Sequence, residues 1–567
     1  MAIKHGPSIE IVTTGVRPTR ESPNRIFLVG TSPQYLVASG DRSLNTPVLV
    51  TNRRQGALSF GEDRLGYTIP KALDGIFDQA TSDGGVEVYV VNVLDAFGAQ
   101  ATTTVTAQSQ TFSYDAIQIP RGAASLVVKG SGGTPTYVLD TDYIYDSENG
   151  IITRISGGGI TANSTVKLDY SYPSGAHLTT VTAATNTFAT NDTIQLEEGL
   201  SAVVVTGTGG TPTYVLNTDY SLNTATGVIT RLTGGAIASG ASVKVTYTYV
   251  DPSIVQNSDI IGGVDGDGDR LGLEAAKDCY ALFGVKPRLL IAPGYSSVVS
   301  VTSAIDVVAF NIDAIGIVDA PIGISVNTAI SGRGAQGTIN FNSGSRKLVG
   351  VYPHAKIYRN LTDTNELDPA SSRVAGIWIN ASAAQGISKS PSNIEMRGIV
   401  GLERPIEFII GNFTTEANNL NDVGIMTLIN GFGTGIRTWG NRSFAFPTNT
   451  SPENFMNIEY ARIVIHEALQ FLAFQYIDGK LNNALIESFL DSANAYLRTL
   501  IASGDLIDGS RLYYSPSDNL STQLADGIVS FRLQMLPPPP AENINIISIL
   551  DVNLAANLNV GQEAVGV

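Results

Sequence analysis

The pattern of apolar and polar positions divides this 567-residue chain into stretches of different period. Arg25-Ile26-Phe27-Leu28-Val29-Gly30 is a continuous apolar run closed by a glycine turn, as expected of a strand buried on both faces. Val86 to Val93 is a second such run, with helical spacing around Gly66 to Ala80 between them. From residue 255 the same rhythm resumes. Gly272 to Phe283 has helical spacing, Arg288 to Gly294 is a short strand ended by Pro-Gly, Ser297 to Phe310 is a helix, and Ile315 to Pro321 is a further strand. This β-α-β alternation predicts a largely parallel sheet covered by helices.

Residues 102–251 follow a different pattern, with short alternating runs rich in Thr, Val, Tyr and Gly between turn signals. They also repeat. Thr134-Pro135-Thr136-Tyr137-Val138-Leu139 recurs as Thr211 to Leu216, 77 residues on. At the same offset Asp142-Tyr143 meets Asp219-Tyr220, and Thr153-Arg154 meets Thr230-Arg231. Tyr170-Ser171-Tyr172 likewise meets Tyr247-Thr248-Tyr249. The composition points to small β-sandwich or barrel modules, and two in-line copies inside an α/β chain read as a duplicated insertion rather than a solenoid.

Near the end, two helices are predicted. The first starts at Ser451-Pro452-Glu453, carries Ile458, Ile465, Leu469, Leu472 and Tyr476 on one face, and stops at Asp478-Gly479. The second has Ile486, Phe489, Ala493, Leu497 and Leu500 as its stripe and ends before Gly504. Both stripes read as core packing. Pro537 to Pro540 form a rigid spacer before a strand at Ile544 to Ile549. The two ends look like arms. Ser8 to Thr13 alternates as one strand would, between Gly6-Pro7 and Gly15 to Pro18, although a frayed terminus has the same signature. Asp551 to Val567 is the second arm.

Composition narrows the function classes. Apolar residues make up 43% and charged residues only 15%, which excludes a disordered chain and points to a surface covered by partners, other copies of the chain among them. A net charge of −16 argues against a general nucleic-acid binder, because phosphate contacts need Lys and Arg. The single cysteine, Cys279, rules out an internal disulfide framework and fits assembly in a reducing cytoplasm. The start, MAIKHGPSIE, lacks the layout of a secretory signal, and no run of 18 apolar residues suggests a membrane span. A soluble protein of three or four domains is expected.

Candidate chemistry is sparse. Asp265-Gly266-Asp267-Gly268-Asp269 opens like a calcium loop, but Arg270 stands where a glycine is needed and Ala276 where a bidentate Glu belongs, so a solvated acidic turn is expected. His466-Glu467 begins like a zincin helix, but Gln470 replaces the second histidine. The four histidines, His5, His177, His354 and His466, fall in separate predicted domains, and no G-x-S-x-G elbow is present. Gly431 to Gly435 lacks the spacing and the Lys of a phosphate loop and reads as a tight turn. No catalytic residue, metal site or cofactor site is predicted.

Several segments together resemble the contractile tail sheath family of phages, pyocins and related injection systems. His5 to Ile11 resembles that family's N-terminal arm, though its usual tyrosine is replaced. Ile260-Ile261-Gly262-Gly263-Val264-Asp265-Gly266 is similar to its GG-x-DG turn, with Leu289 to Gly294 as the following strand. Val351-Tyr352-Pro353 and Asp368 to Gly376 resemble two further family segments, as do Leu420 to Ile425 and Gly435 to Ser443, where Asn441 and Ser443 are departures. Pro540-Ala541-Glu542 before Ile544 to Ile549 is similar to the closing segment. The order of these motifs over residues 1–100 and 255–550 carries the resemblance, and residues 102–251 lie outside it.

The resemblance implies a mechanical subunit. It would stack with copies of itself in helical, hexameric rings around a tail tube protein, meet baseplate and tail terminator proteins, and contract to drive the tube through an envelope. It implies no nucleic-acid partner and no membrane insertion, with assembly in the host cytoplasm into a virion. Neighbours in this family exchange terminal strands, which would involve Ile9, Glu10, Ile11 and Val12 at one end and Ile544, Ile546, Ile549, Val552 and Leu554 at the other. The expected fold class is α/β and α+β multidomain: a parallel-sheet, subtilisin-like α/β core domain, an α+β C-terminal domain and two tandem inserted all-β modules. The expected division is an arm at 1–20, the core at 21–101 and 252–429, modules at 102–178 and 179–251, the tube-facing domain at 430–550 and an arm at 551–567. Two rival readings remain: a receptor- or glycan-binding surface protein, suggested by the β modules, and a degenerate hydrolase.

Overall fold

The computed structural model describes residues 24–80, 85–112, 115–147, 150–334, 337–431 and 433–559. Its centre is an eight-stranded sheet in the order Val48–Val50, Val86–Asn92, Asn24–Gly30, Leu289–Ile291, Ile315–Asp319, Leu348–Tyr352, Ile425–Asn430, Ile436–Trp439. The first and last pairings are antiparallel and the five between them parallel. The continuous apolar runs follow from burial on both faces. Ile26, Leu28, Val88, Val90, Leu289 and Ile291 point to one core, and Phe27, Val29, Tyr89, Val91 and Leu290 to the other.

Each face is covered by helices. The helix Val299–Ile312 lays Val301, Ile305, Val308 and Ala309 on the face of Phe27 and Val29, together with Leu273 and Cys279 from the short helices before it. The helices Ile69–Phe77 and Ser371–Gln385 cover the face of Ile26 and Leu28. These two cross closely because Gly376 has no side chain: a Cβ there would come within 2.6 Å of the Ile76 carbonyl oxygen.

Between Gln100 and Val250 the chain leaves the body and forms two units of the same design. In each, one three-stranded sheet has its long last strand in the middle (Gln100–Thr111, Thr165–Gly175, Ala124–Gly130; then Leu178–Thr187, Ser242–Val250, Ser201–Gly207). A second three-stranded sheet closes each unit, and each has its own apolar core, around Val128 and Ile152 in one and Val205 and Ile229 in the other.

The C-terminal part holds the helices Met456–Phe474 and Asn483–Ser503 and the hairpin Arg511–Tyr514 with Phe531–Gln534. Asn482 caps the second helix by accepting the Leu485 N–H at 2.9 Å, and Gly504 ends it at φ +83°. The mixed α/β, multidomain fold holds, but the sheet does not stop at residue 429. Ile425–Asn430 turns at Gly431 and pairs with Ile436–Trp439, so the expected domain boundary falls inside a hairpin of the central sheet.

The helix Met456–Phe474 is tied to the sheet by buried charge. The strands of Arg25, Arg288 and Lys347 start at the same edge, and all three cations face that helix. Arg25 Nη1 and Arg288 Nη2 reach the two Glu467 oxygens at 2.8 and 2.9 Å. Lys347 Nζ lies 2.7 Å from Glu459, a fully buried carboxylate that also holds Arg462 at 2.6 Å, and 2.5 Å from Asp313. Burial pushes the Glu459 carboxyl up, but the Arg462 hydrogen bond and the Lys347 charge outweigh it and hold it below its ordinary range. Arg288 and Arg25 do the same for Glu467, and Lys347 for Asp313.

Removing Glu459 leaves buried Lys347 and half-buried Arg462 sharing the single, part-exposed carboxylate of Asp313, so Glu459→Ala should cost about 3 kcal/mol in urea unfolding, against less than about 1 kcal/mol for the exposed Arg346–Glu453 pair. The depressed carboxylates also set a pH dependence. A folded-state value below the unfolded one gives stability that is present above the ordinary carboxylate range and lost as pH falls through the folded values. The thermal midpoint should therefore fall increasingly below about pH 4.5, and Glu467→Gln should make that fall shallower.

Candidate functional site

After the hairpin strand Phe531–Gln534 the chain crosses back to the sheet as the proline strap 537–540. Asn457 holds it, donating its Nδ2–H to the Pro538 carbonyl at 3.2 Å and to the Ser388 carbonyl at 2.8 Å. The last anchor is Glu542, which accepts two hydrogen bonds from Arg442, at 3.0 and 2.6 Å. Arg442 is itself fixed by the rings of Phe455 and Phe446, 3.7 and 4.6 Å from its guanidinium carbon. A cleft of about 660 Å³, lined by Trp439, Asn441 and Lys389, lies between strap and body.

Beyond Glu542 the arm is bare. Ile544, Ile546 and Ile549 are 77%, 84% and 80% exposed and belong to no strand. The segment expected as a strand at Ile544 to Ile549 thus forms none here, because a strand needs a partner and none lies beside it among the described residues. Val552 and Leu554 sit in the 3-10 helix Val552–Asn559, also exposed. Ile9, Glu10, Ile11 and Val12 lie outside the described residues.

The hairpin Arg511–Tyr514 with Phe531–Gln534 was not anticipated from the sequence. One face packs Leu512, Phe531 and Leu533 on the two helices. The outer edge of Arg511–Tyr514 is capped by Asn494, which accepts the Leu512 N–H and donates to the Leu512 carbonyl, each at 2.9 Å, while the outer edge of Phe531–Gln534 pairs with no strand among the described residues. Its signal was present in the alternation of Phe531-Arg532-Leu533-Gln534-Met535, which is short and half exposed.

The residues weighed for chemistry are placed as follows. Asp265 accepts the N–H groups of Asp267 and Asp269 at 3.0 and 2.8 Å, which makes the acidic segment a closed surface turn between Gly263–Val264 and Arg270–Leu271. His466 lies against Arg462, and burial together with that charge lowers its pKa. Among the described residues there is no group of three or more His, Cys, Asp or Glu arranged to hold a metal ion.

One polar cluster was invisible in the sequence. Asp319, at the end of its strand, accepts the Ser371 N–H at 2.8 Å and Oγ–H at 2.5 Å and the Ser296 Oγ–H at 3.1 Å. All three residues are buried. The serine donates directly to the carboxylate, with no imidazole between them, so the group caps the helix Ser371–Gln385 and presents no free nucleophile.

Comparison with known proteins agrees with this layout. Residues 268–444, which include most of the central sheet, match the family model of the phage tail sheath protein central domain. A family model described only as a protein of unknown function matches twice, over 96–189 and 178–257. The tail sheath protein of Burkholderia phage BcepMu is 33% identical over 95% of this chain and 95% of its own. A prophage major tail sheath protein of Pseudomonas aeruginosa is 33% identical over 57% of this chain and 80% of its own. The solved helical sheath of the anti-feeding prophage in its contracted state aligns over 97% of this chain and 100% of its own at 12% identity, with a TM-score of 0.49, too remote to add to the sequence relatives. With a relative one-third identical along nearly its whole length, this chain belongs to the tail sheath protein family.

Proposed function

We propose that this chain is the structural subunit of a contractile tail sheath, polymerising as a helical tube around an inner tail tube and shortening to drive that tube through a target envelope. The observation that carries the proposal is the near full-length identity to a tail sheath protein. The geometry supports it. The buried charges tie the helix Met456–Phe474 to the sheet and the helix Asn483–Ser503 packs on it through apolar side chains, while the apolar arm after Glu542 is exposed among the described residues.

Strand addition fits both features. The open edge of Phe531–Gln534 would accept Ile544, Ile546 and Ile549, or Val552 and Leu554, from one neighbour, and that added strand would pair with Ile9, Glu10, Ile11 and Val12 from another. Backbone hydrogen bonds would then hold copies together while the segments flanking each strand let the bodies rotate. The arm would pivot at the Arg442–Glu542 pair.

The finer architecture belongs to the same proposal. The α/β body, subtilisin-like in design, comprises residues 21–101 and 252 up to the turn Pro452–Asn454, later than residue 429 because of the sheet hairpin. Residues 102–178 and 179–251 are tandem inserted all-β modules, and the domain after the turn faces the tube. Copies stack in hexameric rings that meet the tail tube, baseplate and terminator proteins, assembled in the host cytoplasm and carried on the virion. The work is mechanical and needs no catalytic residue, cofactor, nucleic acid or membrane insertion.

Deleting residues 1–15 should leave a folded, soluble subunit that forms no tubes in negative-stain electron microscopy, whereas tubes of the deleted chain would contradict strand exchange. Replacing the bare arm's isoleucines with Ile544→Asp, Ile546→Asp and Ile549→Asp should change subunit unfolding by no more than about 0.5 kcal/mol, since these side chains face water. The same variant should sediment only as subunits.

A further inference from the structure

The two β units are anchored to the body at one end by equivalent turns. In the first unit Gln256 accepts the Arg121 N–H at 2.5 Å and donates its own Nε2–H to the Arg121 carbonyl at 2.9 Å. The Arg121 guanidinium lies 5.2 Å from the centre of the Tyr295 ring. In the second unit the residue 77 positions later is Glu198, which accepts the Tyr35 hydroxyl at 2.9 Å and pairs with Arg64 at 2.9 Å. The turns have diverged, Arg in one and Glu in the other, because each meets a different part of the body.

The strands Ala124–Gly130 and Ser201–Gly207 run from these turns to the opposite end of each unit. There the sequence has not diverged. Gly132 to Leu139 is identical to Gly209 to Leu216, the longest identical stretch between the units. Part of that identity is explained by the fold. Gly133 and Gly210 have φ of +92° and +87°, and Tyr137 and Tyr214 pack on the two cores. The Asp142 and Asp219 carboxylates accept the N–H groups of Val138 and Val215 at 2.8 and 2.7 Å.

The fold does not explain the exposed apolar pair. Val138 and Leu139 are 58% and 49% exposed, and Val215 and Leu216 are 57% and 44% exposed. Exposure alone does not preserve a residue between the units: Ile144, 52% exposed, is replaced by Ser221. Matched apolar residues held out in water at the end far from the body mark a contact surface.

We propose that both tips dock on the β units of neighbouring copies of this chain. A contact present twice per chain requires an acceptor present twice, and in an assembly of this chain the β unit is itself the duplicated surface. The tips from Gly132 to Leu139 and Gly209 to Leu216 carry no charge, so the contact rests on apolar burial and needs no counter-charge. The tips thus form a second layer of contacts, outside the strand exchange.

This inference rests on the chain's polymerising. The test puts the photo-cross-linker benzoylphenylalanine in place of Val138 or of Val215 in the full-length chain, polymerises it with isotope-labelled unsubstituted chain, and identifies the linked peptides by mass spectrometry. Links from both positions into residues 102–251 of the labelled chain, absent from unpolymerised subunits, are expected. Polymers with no link, with links to the α/β body, or with links to a glycan or another protein overturn the tip contact alone. Failure of the unsubstituted chain to polymerise overturns the assembly reading as well.

Discussion

The buried ion pairs between the helix Met456–Phe474 and the starting edge of the sheet are the constraint on which the rest of the structure depends. Arg25, Arg288 and Lys347 each lie within one residue of the start of a parallel strand, and each is buried where an unpaired cation would be expensive. Glu467 and Glu459, two turns apart on one helix, answer all three. The helix cannot slide by a turn without exchanging or losing these partners. A subunit bound this way moves as one body, which leaves its motion to the peptide segments that leave the body.

Those segments are bounded by definite anchors. The proline strap, the Asn457 hydrogen bonds and the Arg442–Glu542 pair fix the point where the C-terminal arm departs. The insertion is held in a comparable way, by Arg121 against Gln256 and Tyr295 and by Glu198 against Tyr35 and Arg64. Tyr295 follows the strand Leu289–Ile291, so the first unit covers the end of the sheet at which open α/β folds usually bind small ligands. That crevice is closed by the protein's own chain, and the nearby Asp319–Ser371 group is spent on capping a helix.

Much of this was legible from patterns with one dominant cause. The two-sided burial of the sheet gives apolar runs such as Ile26 to Val29, and the long helices carry clear stripes and a terminal glycine. What escaped were features decided by distant partners. Asp319 and Ser371 lie 52 residues apart and share no local motif. The strands Arg511–Tyr514 and Phe531–Gln534 are four residues each and half exposed, so their alternation is faint. The glycines at Gly431 to Gly435 mark a turn, but nothing local distinguishes a hairpin within a sheet from a link between domains. Ile544 to Ile549 shows the converse: it has the composition of a strand, yet without a neighbouring strand among the described residues it forms none.

The central claim is that the bare arm completes a sheet in another copy. Cryo-electron microscopy of the purified assembled polymer, at a resolution that traces the backbone from Glu542 onward, tests it most directly. The account predicts that residues between Ile544 and Leu554 run as an added strand along an open edge of the Arg511–Tyr514 and Phe531–Gln534 hairpin of a neighbouring subunit. An arm folded back onto its own subunit, or running free of every hairpin edge, would contradict it.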